Sequence, residues 1–378
     1  MRITGYTGLN TIDNPLDVGL QGLTVAKNIN LDHNGKPSTR EGFTKLVNKQ
    51  IVGMSNGIVL CADGDLLRIN SSDSIETIAH GIPGQSINCV DCAHHTYFAT
   101  GLYNGVISGS AVRSMGLHPP AFDIVTGLGG LPAGNYLVSV TSVSEDGRES
   151  GSNAAESIYI GANSSITISV TLPSGAVTAN IYCSGQDGEE LFYQSTATQL
   201  TITGLDALLN SGEPINREYK GVMPFGRLIE EYNGHLFIAS NEYLYHSDPL
   251  DYELCDYINN IIPFDSAITM LKSVETGIYI STSKEVLFAS GGNPDQWTIR
   301  QVYNYPAFYN SGSIIPATLV GDGGQGKSVI FTTQQGICVG NADGSVMNVS
   351  ERKIKLLNHS GDVSAVINHN RYVVSLLQ

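Results

Sequence analysis

The sequence predicts an all-β chain: a β-propeller of about six blades, one split between the termini, with an inserted fibronectin-III/Ig-like β-sandwich. Three observations predict it. Apolar and polar residues alternate over short stretches that break at Gly, Asn-Gly or Asp-Gly. Groups of these stretches recur about every 35 to 45 residues. Helical periodicity is nearly absent; only Leu205–Leu209 and the region Asp248–Tyr257 offer a helical turn.

Composition agrees. The chain has 378 residues, 42 of them Gly, and only 15% are charged. That suits many strands joined by tight turns. Lys and Arg number 20 against 35 Asp and Glu, a net charge of −15. Such acidity argues against a protein that grips nucleic acid by neutralising phosphates. Met1–Asn10 lacks a signal-peptide apolar core, and no apolar run is long enough for a transmembrane helix. Cys61, Cys89, Cys92, Cys183, Cys255 and Cys338 are scattered, which reads as free thiols in a reducing compartment.

The elements follow in order. AKNINLDHNG and a strand at Gly42–Leu46 are expected to complete a terminal blade. The first full unit starts at Ile51 (IVGM, GIVLCADG, LLRINSS, IETIAHGI) and the second at Ile87 (INCVDCA, TYFAT, GVISGSAV). From Pro119 to Gly221 the rhythm changes to about seven short strands, the count of an Ig-like sandwich. Pro119-Pro120 and Ser211–Tyr219 are its expected hinges. A third unit starts at Leu228 (LIEEYNG, HLFIAS, YLYHSD), a fourth at Ile268 (ITMLKSVETG, IYISTS, EVLFASGG), and a fifth at Ile314 (IIPATLVGD, SVIFTTQQG, ICVGNADG). The chain ends on VSAVINHN and RYVVSLLQ, two strands of a sixth unit to be closed by the N-terminal strands, because an open ring leaves sheet edges exposed. The division is 1–118, 119–221 and 222–378. Two stacked sandwiches are the alternative architecture.

Several motifs look chemical. Gly321–Ser328 (GDGGQGKS) fits the P-loop pattern, but β-branched residues follow where a helix N-terminus is needed. Asn30–Glu41 nearly matches a calcium loop, with Asn at the first position, Pro37 inside it and no flanking helices. Cys89 and Cys92, with His94 and His95 nearby, lack a second pair to complete a zinc site. Glu189-Glu190, Glu230-Glu231 and Asp251–Glu253 could serve glycoside hydrolysis, but their spacing selects no acid and nucleophile. Tyr243, Tyr245, Tyr252 and Tyr257, and Tyr303, Tyr305 and Tyr309, form aromatic groups suited to glycan or protein contact, or to ordinary strands. No residue is nominated as catalytic, cofactor-binding or metal-binding.

Two segments carry a resemblance. In Asn14–Phe43 the pattern A-x-N-x-x-L, then G-x-x-x-x-R-x-G, falls on Ala26, Asn28, Leu31, Gly35, Arg40 and Gly42. Leu131–Gly151 is similar to Ig-like modules of the same proteins. The chain resembles the tail nozzle, or tail accessory (stabilisation), β-propeller proteins of short-tailed bacteriophages. The resemblance implies a non-enzymatic virion part, made in the host cytoplasm. It would form a homo-oligomeric ring, a hexamer, below the portal and adaptor, and prolong the DNA-ejection channel. DNA would then be transient cargo in an acidic lumen that repels its backbone. Assembly contacts are placed at Pro15, Leu16, Leu20, Leu23, Arg40, Arg148 and Glu149. A glycan-binding or glycan-cleaving propeller at a tail tip, and a cellular protein-interaction propeller scaffold, are the alternatives.

Overall fold

The strand Ile58–Cys61 shows how these sheets are built: all four residues are buried. A strand points alternate side chains to opposite faces. A run that is apolar at every position therefore needs a neighbouring sheet on each side. Leu236 and Ile238 likewise join one core while Phe237 and Ala239 join another. The inner strands read as continuous apolar runs for this reason, rather than as strict alternation.

The computed structural model describes all residues except 1–4, 33, 41, 43, 205–211, 321–325, 352, 357–362, 369–370 and 377–378. The described residues form an all-β chain of many small sheets, with two short 3-10 turns and no α-helix. Five sheets are four-stranded antiparallel meanders. Sheet 1 contains Ile51–Ser55, Ile58–Cys61, Leu66–Ile69 and Ile75–Ala79. Sheet 2 contains Asn88–Cys92, His95–Ala99, Asn104–Ser108 and Ala111–Ser114. Sheet 3 contains Leu228–Tyr232, His235–Ser240, Tyr243–His246 and Ile261–Pro263. Sheet 4 contains Ile268–Val274, Gly277–Thr282, Val286–Ser290 and Thr298–Tyr303. Sheet 5 contains Ser313–Pro316, Lys327–Thr333, Gly336–Gly340 and Val346–Asn348. The expected repeats fall on these meanders.

The first strand of each sheet lies against the first strand of the next, and that of sheet 5 against Val363–Asn368. Apolar cores fill the spaces between successive sheets. The result is a propeller-like succession of sheets around a common axis.

Between sheets 2 and 3, seven strands form two further sheets. Ala121–Leu131, Ser164–Thr171 and Gln199–Ile202 make one; Glu156–Ile160, Gly134–Val143, Thr178–Cys183 and Phe192–Thr196 make the other. They enclose their own core, including Tyr136, Val138, Val140, Ile166, Ile168 and Ile181.

Turn chemistry explains the hairpins. Asn56 and Gly57 have φ of 48° and 74°, the pair of positive angles that a two-residue hairpin needs. Asn104-Gly105, read from sequence as a turn, instead begins a strand. Gly105 sits there because a Cβ would lie 2.3 Å from the Phe98 ring. Phe98 is fully buried, so the ring cannot yield. Gly105→Ala is expected to cost about 1–3 kcal/mol by overpacking, read as a lower urea midpoint.

The terminal region departs from expectation. Gly42–Leu46 forms no strand among its described residues. Val47 packs instead on the face of sheet 1 formed by Val59, Cys61 and Leu67, and Lys49 pairs with Asp63 and Asp65. That stretch is spent covering sheet 1. Ile29–Leu31 and Pro37–Thr39 form an N-terminal hairpin paired only with itself among the described residues. Val363–Asn368 and Arg371–Leu376 form a C-terminal hairpin that also has no further strand there. The termini meet through side connections: Thr11 N–H donates to Lys353 O at 2.8 Å, and Lys353 Nζ to Thr7 O at 2.7 Å. Asp248–Tyr257 contains the strand Leu254–Asp256, paired with Lys220–Val222, not a helical turn. The expected turn at Leu205–Leu209 lies outside the described residues.

Candidate functional site

The first strands surround a cavity of about 470 Å³. Ser55, Val90, Glu230, Lys272, Ile314 and Val366 represent the six successive sheets in its lining. Its polar groups bind one another, between neighbouring sheets 3 and 4 and between sheet 2 and the loop before sheet 5. Lys272 Nζ donates to Glu230 Oε2 at 3.0 Å, and Ser273 Oγ to Glu230 Oε1 at 3.0 Å. Asn88 Nδ2 donates to Asn310 Oδ1 at 3.0 Å. The Glu230 bonds tie the first strands of sheets 3 and 4 to each other.

A second cluster joins the seven-strand segment between sheets 2 and 3 to the surrounding sheets, around a cleft of about 600 Å³. Glu253 is its centre, with 13% of its side chain exposed. Its carboxylate accepts from Arg113 Nη2 at 2.6 Å and Nη1 at 2.9 Å, from Arg148 Nη1 at 3.0 Å, and from the Gly116 N–H at 2.7 Å. Arg148 also pairs with Asp146 at 2.8 Å. Nearby, Arg217 binds Asp251 at 2.7 Å and Lys220 binds Asp248 at 2.6 Å. Asp146 and Arg148 lie between the strands Gly134–Val143 and Glu156–Ile160, whereas Arg113 and Glu253 lie among the surrounding sheets.

Burial would raise the Glu253 carboxyl, but Arg113, the Gly116 N–H and Arg148 outweigh it and hold it below the usual range. Arg148 pulls Asp146 down to about 2. Depressed carboxyls stabilise the folded chain above their unfolded values, near pH 4, and that contribution is lost as pH falls through the folded values. The junction is therefore expected to loosen between about pH 4 and 2, seen as proteolysis confined to residues 119–221. Glu253→Gln is expected to cost about 2–3 kcal/mol, below the cost at a fully buried pair because both guanidinium partners keep partial solvent access; denaturant unfolding checks it.

Arg148 and Glu149, named from sequence as assembly contacts, lie at this junction. Glu149 accepts from Asn180 Nδ2 at 2.9 Å, from Tyr182 OH at 2.8 Å and from Thr141 Oγ1. Pro15, Leu16 and Leu20 are exposed, Leu16 at 92%. Leu23 pairs in parallel with Leu9. Arg40 N–H donates to Asn28 O at 2.9 Å. The structure thus gathers Arg148 and Glu149 in one place and the other five along the N-terminal segment. Arg113 and Arg217 were not singled out from sequence, and Glu253 was named only within the carboxylate group Asp251–Glu253. Arg217 sits in the mixed-charge run NREYK and Glu253 in the acidic run DYE, whereas Arg113 stands alone in AVRSM and carries no local signal.

The other motifs resolve as follows. Lys327 and Ser328 begin a strand, and the Lys327 N–H donates to Glu275 Oε1 at 2.8 Å, so an acid stands beside the would-be phosphate loop. Gly321–Gln325 of that motif lies outside the described residues. Asp32 Oδ1 accepts from the Asn34 and Lys36 N–H groups, as in a turn; Glu41 is outside the described residues. Cys89 and Cys92 join different cores. Burial pushes the Cys89 and Cys255 thiols up to about 12. Among the described residues no His, Cys, Asp and Glu cluster could hold a metal. Glu189 and Glu190 are exposed, whereas Glu230 and Asp251–Glu253 are engaged as above. Tyr243 and Tyr245 lie on sheet 3, Tyr303 and Tyr305 on or beside sheet 4, and Tyr309 under Arg227 at 4.3 Å. No described helix is long and apolar enough to cross a membrane.

Beside the junction lies an apolar depression of about 470 Å³, walled by Tyr103, Met223, Pro224, Phe225 and Tyr257. Phe225 is 56% exposed and Tyr257 45%. Tyr219 and Ile258, also exposed, flank it: the Tyr257 N–H donates to Tyr219 O.

No protein-family model and no curated protein matches the chain. Among solved structures it is similar to BBS1N, solved in complex with ARL6DN, at 12% identity over 89% of this chain and 96% of that one, with a TM-score of 0.33. It is also similar to Saccharomyces cerevisiae Sqt1, at 9% identity over 80% and 96%, with a TM-score of 0.24. Likenesses this distant carry no argument about function.

Proposed function

We propose that the chain is a non-enzymatic β-propeller scaffold that works by binding proteins, copies of itself among them. On this reading sheets 1–5 are complete blades and the C-terminal hairpin begins a sixth. Residues 119–221 are a fibronectin-III/Ig-like insertion between the second and third blades. The apolar depression at Phe225 and Tyr257 carries the reading. A concave apolar patch with aromatic rims suits a protein side chain better than solvent. The ionic junction supports it, since it lets sandwich and blades present one surface. Phe225→Glu should weaken association at least about tenfold, by the cost of an unpaired charge in an apolar contact. Unchanged association in sedimentation would reject this surface.

A narrower reading is a tail ring of a short-tailed bacteriophage, below portal and adaptor, present in the virion and passing DNA through an acidic lumen. It is supported by the match at Ala26, Asn28, Leu31, Gly35, Arg40 and Gly42 and by the net charge of −15. Co-assembly with a purified portal–adaptor complex tests it. Cleavage of surface polysaccharide would favour the glycan reading instead.

A further inference from the structure

We infer that the outer edge of the C-terminal hairpin is completed in trans by the N-terminal hairpin of a second copy of this chain. The inference rests on the self-association proposed above, and names the surface that carries it.

Two incomplete sheets are the first argument. Among the described residues the five meander sheets each have four strands, whereas each terminal hairpin has two. A lone two-stranded hairpin is marginal in water, and an unpaired edge is a template for another strand. Asn368 and Arg371 close the C-terminal pairing. Alternation of the ladder then turns the N–H groups of Tyr372, Val374 and Leu376 outward.

The N-terminal hairpin offers the matching edge. Asp32 N–H bonds Lys36 O and Arg40 N–H bonds Asn28 O. By the same alternation Ile29 and Leu31 turn their N–H groups outward on one strand, and Pro37 and Thr39 on the other. Pro37 has no N–H, so its strand suits only an outermost position. The strand Ile29–Leu31 is then the docking edge, and the completed sheet has four strands with Pro37 on its rim.

Two observations favour a second copy. Among the described residues the two hairpins are not paired with each other within one chain, and the Tyr6 N–H donates to Gly35 O at 2.8 Å at the tip of the N-terminal one. Residues 24–40 also carry Lys27, Lys36 and Arg40 against Asp32, a basic arm on a chain of net charge −15. Such an arm is attracted to the net charge of a neighbouring copy as a whole, the edge strand itself carrying only the charge of Arg371.

Complementation tests this. One variant, Val374→Pro, removes an outward N–H from the edge and keeps the N-terminal hairpin. The other replaces residues 29–39 by a Gly-Ser linker and keeps the edge. Each alone is expected to lose the multi-copy particle while retaining the wild-type circular dichroism. Mixed in equal amounts they should form a 1:1 pair. Amide exchange on the unaltered chain reads the same contact without a variant: protection of residues 371–376 should fall at least about tenfold on dilution. Variants that assemble like wild type, a mixture that stays monomeric, or protection independent of concentration would each overturn the exchange of hairpins and leave self-association standing. An unaltered chain that is monomeric at every concentration would overturn both.

Discussion

Lys272→Met is expected to lower stability by about 3–5 kcal/mol, the cost of leaving a buried charge without its partner. Lys272 and Glu230 have side chains only 15% and 9% exposed, and they tie the first strands of sheets 4 and 3. With the ammonium gone, Glu230 retains only the hydroxyl of Ser273 of the two side-chain donors. The double variant Glu230→Gln, Lys272→Met removes both charges and is expected to recover most of the loss, because neutral replacement of a buried pair is often tolerated. Urea unfolding of the four chains measures the coupling. Additive losses would mean that the two side chains do not share one dry contact.

Phe237→Ala is expected to cost about 3–5 kcal/mol through cavity formation. Phe237 is fully buried and stacks on Trp297, with ring centroids 5.0 Å apart and planes 24° apart. It lies in the core shared by sheets 3 and 4, so its removal loosens two sheets together. Trp297 is the single tryptophan of the chain, which makes its emission a local reporter. A red shift with a lowered midpoint is expected; an unshifted emission would place the ring elsewhere.

Much of the fold was legible because its signals are local. Asn56-Gly57 and Asn233-Gly234 mark hairpins by residues that accept positive φ, and both pairs adopt it. The changed rhythm after Pro119 likewise falls on seven strands between sheets 2 and 3. Where reasoning from local pattern failed, a distant contact decided. Asn104-Gly105 carries a turn signature, yet packing against Phe98 puts it in a strand. Gly42–Leu46 reads as a strand, yet Val47 and Lys49 commit the neighbouring chain to sheet 1. The junction was hidden for the same reason: Arg148 and Glu253 are 105 positions apart, and Arg113 and Glu253 140. Charge runs suggest that pairs exist, but only the fold chooses the partners.

The most direct test of a scaffold that works through copies of itself is the mass of the unaltered particle by native mass spectrometry over a wide concentration range. The expected result is a discrete particle at a whole-number multiple of the chain mass. A strictly monomeric chain at every concentration would contradict it.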